Sequence, residues 1–295
     1  MRGSEFLATY GKKPWPAWEL AAVDLAKKGE FVDWGWCEVT IKKGDLTGVL
    51  RVQRDVFAIG EQGDVLRLPL SPERAQEIAN HQGWMLETPL ISYLAWRASD
   101  LKLTRQAMVP NKGADLAQIA EHSRAIDNQI AGRSGSVAGH KKSVVVGNLY
   151  QPGKVLIFGW YKPEPDLFDD KTALTNPERQ PRQPYSNVHG NFYLDYSHGI
   201  RFVGGTMTVN GQELLTADVM QHPQLCALVS HEGPVRSVRY PAPNKPRVTS
   251  PVGPLPPMPP PASQPNAVYY TPYVPTTPSL ADVGLQKMMQ QGKKA

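Results

Sequence analysis

Residues 186–201 hold the chain's densest set of groups that could do chemistry: Ser186-Asn187-Val188-His189-Gly190-Asn191-Phe192-Tyr193-Leu194-Asp195-Tyr196-Ser197-His198-Gly199-Ile200-Arg201. Two of the seven histidines fall here, beside Asp195, Ser197, Arg201 and two tyrosines. A strand through 191–195 would put His189, Tyr193 and Asp195 on one face, because alternate residues of a strand share a side. Ser197 and His198 would then sit in a turn at its end, which Gly199 permits. Ile200, Phe202 and Val203 are apolar, so the polar group is expected at the edge of a packed sheet.

Two chemistries follow from these residue types alone. In the first, His189, Asp195 and His198 or His231 supply nitrogen and oxygen ligands to a metal, with one position left for water, as catalytic zinc requires. The metal set read here is His189, Asp195 and His231, and zinc is the candidate cofactor. In the second, Asp195 orients a histidine that acts as general base, and Arg201 or the Lys141-Lys142 pair stabilises developing negative charge. His122, on the flank of a helix, and Lys142 are the outer members of the candidate catalytic set, whose inner members are His189, Tyr193, Asp195, Ser197, His198 and Arg201. The glycine- and serine-rich run 132–139, followed by His140-Lys141-Lys142-Ser143, is not a phosphate loop. Its glycines are too close and a strand comes next, where the motif needs a helix.

The elements that must position these groups alternate in type. Pro14-Trp15-Pro16 opens a helix whose apolar positions 18, 21, 22 and 25 are helically spaced and which Gly29 stops. From Trp34 to Leu68, short runs at 37–41, 48–54 and 65–68, punctuated by Lys43-Gly44-Asp45 and Glu61-Gln62-Gly63-Asp64, read as an antiparallel meander. Ser71-Pro72 and Thr88-Pro89 start helices over about 71–82 and 88–98, and Asp115 starts a fourth over 115–130. Strands follow at 143–149, 154–160, 191–195, 200–209 and 212–215, the last two joined by the hairpin signal Asn210-Gly211. A short helical segment near 216–230 ends the body at Tyr240. The fold class expected is α+β, a mostly antiparallel sheet with packed helices, followed by a proline-rich disordered tail. The body spans 7–240, with a division into subdomains 7–130 and 140–240 left open, then a proline-rich linker at 241–278 and a short terminal helix at 279–295.

Several resemblances rest on the same residues. The run Ser186 to Asp195 resembles the serine, histidine and aspartate run of zinc-dependent D-Ala-D-Ala peptidases. Its His-to-Asp interval is one residue short, and their Glu and Trp-His segment is absent unless Trp160 and His231-Glu232 stand in. His189-Gly190 with Ser197-His198-Gly199-Ile200-Arg201 resembles the signature of L,D-transpeptidases, without the nucleophilic cysteine that should follow Gly199. Tyr193 to Val203, with Asp64-Val65-Leu66-Arg67-Leu68-Pro69-Leu70 and Gly159-Trp160, is similar to an uncharacterised bacterial family with a "DYSHGIR" strand, and this likeness implies no particular activity.

Composition narrows the class. The chain has 295 residues and is 41% hydrophobic, enough for a real core, and no run approaches the roughly 18 apolar residues of a membrane span. The net charge of +5 and the 28 prolines are unevenly placed. Residues 241–295 hold 14 of the prolines and five Lys/Arg against one acid, Asp282, so four of the five net positive charges sit there. The body is nearly neutral, and nucleic-acid binding is disfavoured because no helix is dense in basic residues. Cys37 and Cys226 rule out a disulfide scaffold and read as unpaired thiols, with one disulfide still open. Met1-Arg2-Gly3-Ser4-Glu5-Phe6 reads as a vector-derived leader outside the fold, so the native start is expected to be missing. A secreted or envelope setting is favoured. The function expected is hydrolysis of a polymer, cell-wall peptide or glycan, at the His/Asp/His edge. The alternative is a non-catalytic binding or assembly protein that recruits a protein partner through its tail.

Overall fold

A computed structural model describes residues 1–109, 114–161 and 181–246. The expectations for most of the linker and for the terminal helix fall outside the described residues. Helices α1 (Gly3–Tyr10) and α2 (Trp15–Lys27) come first, and α2 carries proline in its first turn, where the missing N–H has no intrahelical partner to lose. The opening hexapeptide is not outside the fold. Phe6 is fully buried and joins Leu66 and Leu68 in the core, because burying a phenylalanine side chain is worth about 2 kcal/mol or more.

The expected turns at Gly44-Asp45 and Gln62-Gly63 close two hairpins, β1 (Trp36–Lys43) with β2 (Leu46–Gln53), and β3 (Ala58–Glu61) with β4 (Asp64–Arg67). They do not form one meander. Between them Asp55 turns into the interior, fully buried, so β3 and β4 stand as a separate ribbon. Helices α3 (Pro72–Gln82), α4 (Pro89–Ala98) and α5 (Leu116–Ile130) lie where their caps predict, with strands β5 (Met85–Leu86) and β6 (Leu101–Lys102) between them. The Thr88 hydroxyl accepts from the Ile91 N–H and the Asp115 carboxylate from the Ala117 N–H, satisfying donors at the helix starts.

Strands β7 (Val137–Ala138), β8 (Lys142–Val144), β9 (Ile157–Gly159), β10 (Gln183–Ser186), β11 (His198–Gly199), β12 (Phe202–Val209) and β13 (Gln212–Leu215) follow, then α6 (Thr216–Gln221). The Asn210-Gly211 turn joining β12 to β13 has φ of 48° and 85°, the paired positive values this hairpin turn demands. One sheet runs β1-β2-β12-β13, with β5 paired to β12. Since β2 and β12 pair directly, the body does not divide near 130–140: its two sequence halves build one sheet. The β2–β12 register shifts between Val203 and Met207. At that bulge a Cβ on Gly205 would lie 2.0 Å from the Gly83 carbonyl, so only glycine lets the two backbones meet.

Leu50, Val52, Phe202, Val203 and Met207 of this sheet share a core with Trp18, Ala22, Ile78 and Ala79 of α2 and α3. The second sheet, ordered β10-β9-β8-β11, is antiparallel except for the β8–β11 pair. It packs Val145, Leu156, Phe158 and Tyr161 on Leu90, Tyr93 and Trp96 of α4. The architecture is therefore α+β with mostly antiparallel sheets. The chain stays attached beyond Tyr240, since Asn80 donates to the Asn244 carbonyl and Asn244 to that of Glu77. Cys37 and Cys226 are both free thiols. No helix among the described residues is long and apolar enough to cross a membrane.

Candidate functional site

The segment expected as a strand at 191–195 is a turn and an irregular loop. Local side-chain bonds win over the sheet ladder here: the Asp195 carboxylate takes the Ser197 N–H at 2.7 Å and the Ser197 hydroxyl, while the His198 N–H donates to the Asp195 carbonyl. Asp residues favour such turns over extended pairing. The shared face is therefore not what unites the residues. His189 meets Tyr193 through the bend, their rings stacked at 3.9 Å and 9°, and the edge of Tyr193 meets the His198 ring at 5.6 Å.

The parallel β8–β11 pair brings in the lysine. His198 is the register partner of Lys142, so both side chains leave the sheet on one side, toward Asp195. Lys142 Nζ lies 3.6 Å and His198 Nε2 4.0 Å from Asp195 Oδ2, and the Tyr193 hydroxyl donates to the same oxygen at 3.2 Å. Lys142 also lies over the ring of Trp160 at 4.9 Å. Trp160 holds the left-handed value φ 63°, a backbone strain that tends to collect at functional sites. Gly199 allows the close approach behind the cluster, because a Cβ there would be 2.7 Å from Lys141 Cβ.

His198 is 1% exposed, and neither ring nitrogen has a hydrogen-bond partner among the described residues. Burial pushes its imidazole down to about 4, against the pull of Asp195 and with help from Lys142. Burial also lowers His189, and Lys142 adds to the effect. For Asp195, burial opposes ionisation, but His198, Lys142 and the Ser197 hydrogen bonds outweigh it and hold the carboxyl well below its usual range. A neutral, unpartnered imidazole thus sits beside an ionised carboxylate and an ammonium group, with His189 and Tyr193 leading from them toward the surface.

The remaining expected members are elsewhere. Arg201 does not face the cluster. Its guanidinium donates to the Gln53 and Val137 carbonyls at 2.5 and 2.6 Å and stands 3.4 Å from Glu87, because a buried Arg must satisfy its five donors. His122 is fully buried rather than flanking the helix surface, with Nε2 against the Gln106 carbonyl at 3.1 Å and its ring 4.9 Å from Tyr196. His231 adjoins Glu232, whose carboxylate takes the Asn148 N–H and the Tyr185 hydroxyl. Among the described residues no three His, Cys, Asp or Glu side chains are gathered to hold a metal ion, so the set His189, Asp195 and His231 is not assembled and the donors do not fit zinc.

A second polar group went unread in the sequence. Asp55 Oδ2 accepts from Arg67 Nε at 2.8 Å, Asp55 Oδ1 lies 3.0 Å from His140 Nε2, and Arg67 Nη1 reaches Asp127 at 2.7 Å. Next to it Lys141 is buried, its Nζ donating to the Tyr196 carbonyl at 2.5 Å, and burial pushes it down to about 7. Residues 12 and 85 positions apart carry no local spacing signal. The fold and site together define an α+β protein with a half-buried acid–base cluster over a buried ionic layer. No family model, curated protein or solved structure matches the chain.

The buried histidines set an acid limit on stability. His198, depressed to about 4, and His122, pushed by burial down to about 2, stay neutral in the folded chain while the unfolded chain takes up protons below about pH 6.5. Stability is therefore fully present above that pH and is lost as pH falls toward 4, by about 3 kcal/mol through His198 alone. Glu87, pushed up to about 7 by burial, works in the opposite direction over the same range, so the comparison is with His198→Leu. Read from urea midpoints, the parent should lose more stability between those limits than the variant, and equal losses would contradict neutral burial.

Proposed function

We propose that the protein is a hydrolase of a polymer, with bacterial cell-wall peptide or glycan as the substrate class, and that His198 is its general base. The observation that carries this reading is the buried His198, with two unpartnered ring nitrogens beside the ionised Asp195. A buried polar ring without a partner costs stability, and a neutral imidazole next to a carboxylate is the arrangement that can take a proton from water. In cleavage of a peptide bond the water oxygen adds to the carbonyl carbon, Asp195 stabilises the imidazolium that forms, and Lys142 stabilises the negative carbonyl oxygen. The imidazolium returns its proton to the departing amine as the C–N bond breaks. Entry displaces the Tyr193–His189 stack that covers His198. The cell wall is favoured because His189 and His198, the histidines of the L,D-transpeptidase resemblance, both lie against Tyr193. Such a substrate implies a secreted or envelope-facing setting.

One observation favours the second reading, a binding or assembly protein. Ile200, where that resemblance calls for a cysteine nucleophile, is fully buried in the core, so no acyl-enzyme forms at that position. Purified cell walls separate the two. The full chain should lower their turbidity and release new reducing ends or amino groups, and His198→Ala should abolish the release. Retention of the chain on the walls without any release would favour the binding reading.

A further inference from the structure

We propose that Phe192, Val188 and Trp15 form a shelf that seats a pyranose ring of a glycan strand next to the His189–Tyr193 stack. The inference rests on reading that neighbouring site as one that processes a polymer. Phe192 and Val188 are 71% and 69% exposed, which for large apolar side chains on one short loop marks a binding surface.

The exposure is built in, because the loop backbone is pinned at several points. The Val155 N–H donates to the His189 carbonyl at 3.2 Å, the Asn191 N–H to that of Gly153 at 3.0 Å, and Lys154 Nζ to that of Val188 at 3.1 Å. The Asn191 side chain is fastened to Glu73 at 2.5 Å. Trp15, at the start of α2, meets the Phe192 ring edge-on at 5.9 Å and 68°, supporting it from one side. A pinned loop backbone has less entropy to lose on binding.

The rim selects the ligand. On the same loop the Asn191 amide donates to the Glu73 carboxylate and the Asn187 amide to the Leu149 carbonyl, so the apolar pair is flanked by half-buried polar groups with remaining donor and acceptor capacity. A purely apolar ligand would strip water from them without replacing the hydrogen bonds. A sugar ring offers C–H groups to the aromatic face and hydroxyls to the rim. Tyr193 follows Phe192 directly, so a strand seated on the shelf runs toward His198.

Titrating the full chain with chitotetraose, followed by tryptophan fluorescence, tests this. Saturable binding is expected, weakened about tenfold or more in Phe192→Ala, the scale of losing one buried aromatic contact. Val188→Asp should weaken it as well. Both positions are exposed, and circular dichroism should find both variants folded like the parent. No saturable binding by the unmodified chain, or binding unchanged in both variants, would overturn the shelf. Binding without cell-wall turnover upholds the shelf and counts against hydrolysis. Turnover without oligosaccharide binding does the reverse.

Discussion

Asp55→Ala is expected to destabilise the protein by about 3–5 kcal/mol, the cost of removing one partner from a buried ion pair. Asp55 and Arg67 are both about 1% exposed. The carboxylate accepts from Arg67 and the Val56 N–H and contacts His140. Burial opposes its ionisation, and Arg67 and His140 outweigh that, holding it well below the usual carboxylate range. Without it, Arg67 keeps only Asp127 as an acidic partner among the described residues, with a side chain 43% exposed, and a charge inside the fold is left underpaired. The midpoint of urea unfolding, read by tryptophan fluorescence, measures this. Glu38→Ala, on an exposed position of β1, should move the midpoint by no more than about 0.5 kcal/mol. A shift of that small size for Asp55→Ala would mean that the layer does not hold the fold.

His198→Leu is expected to lower the release of soluble cell-wall fragments by about 100- to 10,000-fold, the range a positioned acid–base group contributes. Its effect on stability should be small or favourable. Among the described residues nothing hydrogen-bonds the ring nitrogens, so leucine removes an unsatisfied buried polar group. A structural histidine would behave in the opposite way, with stability lost and any activity changed only in proportion. Thermal melting of the variant beside the parent separates the two cases. Asp195→Ala should differ from both, because it strands the Ser197, Tyr193 and Lys142 groups that converge on the carboxylate.

What could be read in the sequence was mainly local. Proline and cap residues marked α2 through α5, and Asn210-Gly211 marked the β12–β13 hairpin, because these signals act within a few residues. The spacing grouped His189, Tyr193, Asp195, Ser197 and His198, and they do lie together, but not on a shared strand face. Asp195 bends its own backbone through Ser197, so a ring stack and the β8–β11 register, rather than a strand face, assemble the group. The composition of the first six residues suggested a leader, whereas Phe6 is core. Arg201 looked like a site residue by neighbourhood alone. Its guanidinium serves backbone carbonyls from β2 and β7, which only the β2–β12 pairing and the chain path around it bring near. The Asp55–Arg67–His140 group was invisible for the same reason: long-range packing creates it.

The most direct test of His198 as a neutral general base is the pH dependence of kcat/KM for fragment release, measured from about pH 3 to about pH 8. The rate should rise with pH through about 4, where the imidazole loses its proton. Asp195 favours the protonated ring, so Asp195→Asn should move that limb to lower pH. A profile flat across this range, or a limb that Asp195→Asn leaves in place, would contradict the assignment.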